Sequence, residues 1–201
     1  MEKSVFYKVL SIVFHPIFIP LVATVIHLNI FAPYLSKDQS YMVLYIVTLG
    51  SLILPLSTLL LLIKAKIINS IYLEKRTDRI IPIFTTGVYI FVTAKLLMKN
   101  NIGTALHSYL IGVVITLSVI LILSRKLKIS IHSAAIASVT GFLIFISYNF
   151  SINLTPILAI FIIITGLIST ARLKLKAHTD KEVYLGIIIG VIPQLAFLFL
   201  K

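Results

Sequence analysis

Seven apolar runs, each roughly 20 residues long, follow one another with only short polar connections, and that spacing leaves few ways to fold. They fall at about 9–32, 41–63, 80–98, 104–124, 131–150, 153–171 and 183–200. A helix rising ~1.5 Å per residue crosses the ~30 Å hydrocarbon core of a bilayer in about 20 residues. There, every backbone N–H and C=O must be bonded within the protein, which a helix achieves alone. Apolar residues make up 59% of the 201 residues and charged residues 12%, a surplus that one soluble core would not enclose. The pattern predicts an all-α integral membrane bundle of six or seven transmembrane helices, a single transmembrane domain over residues 1–201.

The first run is the least regular, because His15, Pro16 and Pro20 interrupt it; it is expected to be kinked or partly interfacial. Lys3 and Lys8 precede it as in a signal peptide, but it is too long for one and no small-residue cleavage pattern follows, so it reads as a retained helix. The last two runs are short and contain Pro156 and Pro193. If all the runs span, every one of the 18 Lys+Arg except Lys37, Lys95, Lys99 and Lys201 lies on one membrane face. The positive-inside rule makes that face cytoplasmic, in what resembles a bacterial inner membrane. The net charge of +12 sits in short loops rather than on a soluble basic domain. Membrane lipids or a phosphorylated substrate therefore suit it as partners, and nucleic acid does not. Cys is absent, which excludes disulfides, thiol nucleophiles and Cys metal sites.

Three polar stretches stand out, each entering an odd-numbered run from the basic face: Glu74 to Pro82, Lys128 to Ser133 and Ala171 to Glu182. Ionisable residues beside hydrocarbon are costly, which marks them as candidate functional groups. In the third, His178 and Glu182 are spaced i, i+4. On one helix face, that carboxylate would accept a hydrogen bond from one ring nitrogen and leave the other as base or nucleophile. Arg172, six residues earlier, suits a bidentate grip on phosphate. The second stretch offers Ser130, His132 and Ser133 at a helix start, where backbone N–H groups favour an anion and a histidine could protonate a leaving alkoxide. The first adds Arg76 and Arg79. Together these form a cationic cradle with two histidines and one orienting carboxylate. The other cations, such as Lys64, Lys66, Arg125 and Lys126, read as topology anchors. His15, His27 and His107 read as structural histidines. No GxGxxG, Gly-rich phosphate loop or HExxH motif is present.

These residues resemble the type 2 phosphatidic acid phosphatase superfamily, whose motifs are KxxxxxxRP, PSGH and SRxxxxxHxxxD. The likeness covers about residues 64–200. Arg172, His178 and Glu182 reproduce the third spacing, with Glu in place of Asp and Ala171 in place of Ser. Val183 and the Gly186-x-x-x-Gly190 pair also resemble family sequences. Ser130-Ile131-His132 keeps the Ser-x-His of the second motif without its Pro and Gly, which puts a side chain where backbone would approach phosphate. Arg79 and Pro82 answer to the first, but they are not adjacent and the Lys is missing.

The resemblance implies a lipid phosphatase that needs no metal ion or other cofactor. It implies His178 as the nucleophile forming a phosphohistidine, Glu182 as its orienting group and His132 as general acid. It further implies Arg172, Ser130, Arg79 and Arg76 as holders of the phosphate oxygens. The substrates implied are lipid phosphomonoesters or diphosphates. The alternative on the same fold is an inactive protein that binds or translocates lipid phosphates.

Overall fold

The computed structural model describes residues 2–71, 73, 75–99 and 103–199, and among these there are helices and turns but no strands. The helices are α1 (Glu2–Val13), α2 (Ile19–Ile30), α3 (Lys37–Thr48), α4 (Leu54–Lys64), α5 (Ile80–Lys99), α6 (Thr104–Leu123), α7 (Ile131–Asn149), α8 (Thr155–Lys174) and α9 (Asp180–Ala196). Short 3-10 turns at Pro16–Phe18, Ala32–Tyr34 and Thr77–Arg79 lead into α2, α3 and α5, and a π-helical turn at Leu49–Ile53 joins α3 to α4. The protein is an all-α membrane protein. Among the described residues, six stretches are long and apolar enough to cross a bilayer: Val5–Ile30, Lys37–Lys64, Thr77–Lys99, Thr104–Leu123, Ile131–Asn149 and Thr155–Lys174. α9, at 17 residues, falls short of that length, rising about 26 Å against a core of ~30 Å.

The outer surface is that of a chain solvated by lipid. Large apolar side chains such as Leu61, Ile122 and Ile163 are exposed. Hydroxyls inside the spans bond back to their own helix, as Thr24 does to the Pro20 carbonyl, Thr93 to Tyr89 and Thr165 to Phe161. With no water at that depth, the carbonyl one turn back is the acceptor within reach.

The helices group into two compact units. The second unit, Pro20–Arg125, is organised around α5, which packs on α3, α4 and α6. Thr58 on α4 and Tyr89 on α5 pair their hydroxyls at 2.8 Å. The first unit, Met1–Ile19 with Lys126–Lys201, is organised around α7, which packs on α8, α9 and the Pro16–Phe18 turn, while α1 lies against α8. The α7–α9 contact is close enough to exclude a Cβ. One built on Gly186 would stand 2.7 Å from the Ser130 carbonyl oxygen, and one on Gly190 would run into the Ala134 carbonyl. Ala134, Ala137 and Gly141 line the α7 side of this first unit and are themselves buried or tightly faced. Small residues let backbones approach to this degree where no hydrophobic force acts between helices.

Candidate active site

The turn between α8 and α9 carries the Arg172/His178/Glu182 spacing. α8 closes with two capping bonds: Lys176 N–H to the Leu173 carbonyl at 2.9 Å, and Ala177 N–H to the Arg172 carbonyl at 3.1 Å. Lys176 takes the left-handed conformation (φ 52°) that such a close requires. Thr179 then caps α9. Its hydroxyl accepts the Glu182 N–H at 3.4 Å, and the Glu182 carboxylate accepts the Thr179 N–H at 3.1 Å. This reciprocal capping box is the Thr-x-x-Glu signature.

The cap corrects one expectation. His178 precedes the helix, so it does not share a helix face with Glu182. Its Nδ1–H donates to the Lys128 carbonyl at 2.7 Å. Glu182 Oε2 is 3.8 Å from the same nitrogen, beyond hydrogen-bond range. Glu182 acts on His178 through the main chain instead. Its Oε1 accepts the Lys128 N–H at 2.7 Å, and its own carbonyl accepts the Ser130 N–H at 3.1 Å. The Lys128 residue is thus held at its N–H by Glu182 and at its carbonyl by His178. Because a carbonyl only accepts, Nδ1 carries the proton and the neutral ring has its lone pair on Nε2. Burial alone would raise the Glu182 carboxyl. The Thr179 and Lys128 N–H groups, with His178 beside it, hold it below the usual carboxylate value. An open cavity of about 490 Å³ lies at this turn, lined by Leu173, Lys176, Ala177, His178 and Glu182 among others.

The second histidine enters from α7. Ser130 caps that helix, its hydroxyl accepting the Ser133 N–H at 3.3 Å. It also lies 3.0 Å from the Ser133 hydroxyl, which in turn accepts from Ser169 of α8 at 3.4 Å. Ser130 is fully buried and serves the cap, so its hydroxyl is already engaged. His132 Nε2 donates to the Ser11 carbonyl of α1 at 3.2 Å. The His15 ring stands edge-on to it, with 5.3 Å between centroids and planes at 85°. Arg172, in the last turn of α8, is close enough for its charge to act on both rings. The Arg172 Nε is buried and has no hydrogen-bond partner among the described residues.

The structure therefore gathers His132, His178, Glu182, Arg172 and Ser130 into the first unit. Arg76 and Arg79 belong to the second. Arg79 is buried, and its Nε donates to the Leu73 carbonyl at 2.9 Å, fastening the loop that enters α5. Glu74 lies outside the described residues. No family model matches the chain, and no curated protein or solved structure matches it.

Three participants were not expected from the sequence: the Lys128 main chain, Ser11 and His15. A main-chain acceptor leaves no side-chain signal. Pro16 did offer one, because a residue without an N–H inside an apolar run releases carbonyls on the preceding turn. Where a released carbonyl lands is a tertiary fact.

Proposed function

We propose that the protein hydrolyses a lipid phosphomonoester or diphosphate through a phosphohistidine, as the type 2 phosphatidic acid phosphatases do. The observation that carries the reading is the Nδ1–H bond of His178 to the Lys128 carbonyl at 2.7 Å, which gives Nε2 the lone pair a nucleophile needs. Support also comes from the company it keeps in one unit: a second imidazole, His132, and a guanidinium with a buried unpartnered nitrogen.

In this reading Nε2 of His178 attacks phosphorus as the bond from phosphorus to the leaving oxygen breaks. His132, protonated, gives its proton to that oxygen and releases the lipid alcohol or the shortened phosphate. Water then attacks the phosphohistidine, His132 takes a proton from the water, and orthophosphate leaves with the N–P bond broken. Arg172 opposes the charge on the phosphoryl oxygens, the place where electrostatic stabilisation is most effective. Glu182 holds Lys128, and through it the ring, in register.

A second reading, binding or translocation of lipid phosphates without turnover, draws on one observation. The His178 side chain is only 1% exposed, so the ring is shielded in this conformation. Phosphate release separates the two. The purified protein, assayed on phosphatidic acid and on a polyprenyl diphosphate, is expected to release phosphate, and His178→Ala to lower the rate at least ~1,000-fold. Release that is undiminished in His178→Ala sinks the covalent mechanism. Tight lipid binding with no release in the wild type favours the second reading.

A further inference from the structure

The N-terminal helix ends for a covalent reason. Pro16 has no N–H, so the Ile12 carbonyl lacks its helical donor. The His15 N–H takes that carbonyl instead, at 3.2 Å. In a continuing α-helix His15 N–H would have bonded the Ser11 carbonyl. That acceptor is released, and His132 Nε2 donates to it. His15 turns extended (φ −65°, ψ 136°), and its Nδ1 accepts the Ile17 N–H at 3.3 Å. The neutral His15 ring then carries its proton on Nε2, as a donor.

Two buried polar atoms around His132 have no hydrogen-bond partner among the described residues: the Ser11 hydroxyl and the Arg172 Nε. Ser11 touches His132 through its carbonyl, His15 stands ring to ring with His132 at 5.3 Å, and the Arg172 charge reaches both rings. Buried polar atoms in native proteins are normally bonded, and two in one corner call for a ligand. Of the groups that act electrostatically on His132, namely Arg172, His15 and His178, only Arg172 carries a fixed charge, and none is a carboxylate. A cation there would meet the guanidinium, whereas an anion would neutralise it.

We infer that Ser11, His15 and Arg172 form an oxyanion subsite in the corner between α1, α7 and α8, opened by the Pro16 break, and that it takes a phosphoryl group. The N-terminal helix is thereby a wall of the site. The subsite adds Ser11 and His15 to the phosphoryl contact already given to Arg172, and the lipid origin of that group rests on the function proposed above.

The test uses the full chain in detergent with isotopically labelled histidine, His15 being assigned by His15→Gln. Inorganic phosphate is titrated in one arm and a short-chain phosphatidic acid in the other. The His15 and His132 resonances are expected to move together, at one concentration, in at least one arm. A shift with phosphatidic acid alone assigns the group to bound lipid, and a shift with phosphate as well includes the free ion. Ser11→Ala, which keeps the carbonyl, is expected to weaken binding about tenfold with an unchanged melting temperature. A His15 resonance that stays still in both arms overturns the subsite, as does wild-type affinity in both Ser11→Ala and His15→Gln. Phosphate release with a silent His15 sinks the subsite alone. A moving His15 in a protein that releases no phosphate sinks the phosphatase reading alone.

Discussion

α5 and α7 are each the hub of their unit and nearly equal in length, 20 and 19 residues. Yet α7 is 67% buried over its spanning window, and the window containing α5 is 33% buried. α5 turns much of its surface to lipid and meets its neighbours through side chains, as in the Thr58–Tyr89 pair. α7 meets α9 backbone to backbone, at Ser130 against Gly186 and Ala134 against Gly190. The comparison teaches that the unit carrying the candidate site is the one closed by contacts of main chain on main chain. Contacts between side chains adjust by rotation, whereas contacts between main chains do not.

That difference is open to direct attack. Gly190→Ala drives a methyl into the Ala134 carbonyl, which cannot rotate away, and is expected to cost about 3 kcal/mol or to prevent folding. Thermal unfolding in detergent reads it. In the second unit, a Cβ on Gly50 runs into the Thr93 side chain, its hydroxyl first and its Cβ at 3.1 Å, and not into main chain. Turning Thr93 aside gives up its bond to the Tyr89 carbonyl, so Gly50→Ala should cost about 2 kcal/mol, less than Gly190→Ala. Equal losses in the two variants would erase the distinction between the units.

Glu182→Gln comes next. It keeps one acceptor oxygen where the carboxylate serves both Lys128 N–H and Thr179 N–H. A loss of about 1–2 kcal/mol is expected, together with a larger fall in turnover because the His178 support loosens. The pH dependence has a definite sign. The folded carboxyl sits below its ordinary value, so its stabilisation is complete above the unfolded pKa of ~4.3 and is lost as pH falls through the folded value. Melting temperature against pH should drop on the acid side more steeply in wild type than in Glu182→Gln, and parallel curves would refute this.

The smallest effects are expected where nothing is crowded. No atom lies within 4 Å of a Cβ built on Gly87 or Gly166, so alanine at either should be neutral or stabilising by up to about 1 kcal/mol. Lys176→Gly relieves a left-handed lysine but loosens the unfolded chain, a net change under about 1 kcal/mol. A large loss at any of these three positions would mean that lipid-facing and turn positions are packed more tightly than the two-unit contrast allows.

The long apolar runs announced the helices because their length is set by the bilayer, and the ends of α6, α7 and α8 fall within a few residues of the expected ones. The irregular first run resolves into α1 and α2 on either side of His15 and Pro16, as its prolines implied. The π-helical turn at Leu49–Ile53 was not legible, since it inserts into a run that stays apolar throughout. At the site, Thr179-x-x-Glu182 is a capping signature that could be read from the letters, but the histidine beside it drew the carboxylate into a different role. The bond His178 makes is to a main-chain carbonyl fifty residues away, and sequence spacing holds no record of it. Ser11 and His15 escaped for a similar reason: their relation to His132 depends on where α1 lies against α8.

The doubly gripped Lys128 has a mechanical outcome. From Lys128 to His132 the chain can lengthen by no more than ~3.6 Å per residue, and its first residue is tied to both Glu182 and His178. The separation of the two imidazoles is therefore bounded by one short tether of main chain and not by flexible side-chain reach alone. Lengthening that tether by a single inserted residue would detune the pair while leaving every chemical group in place.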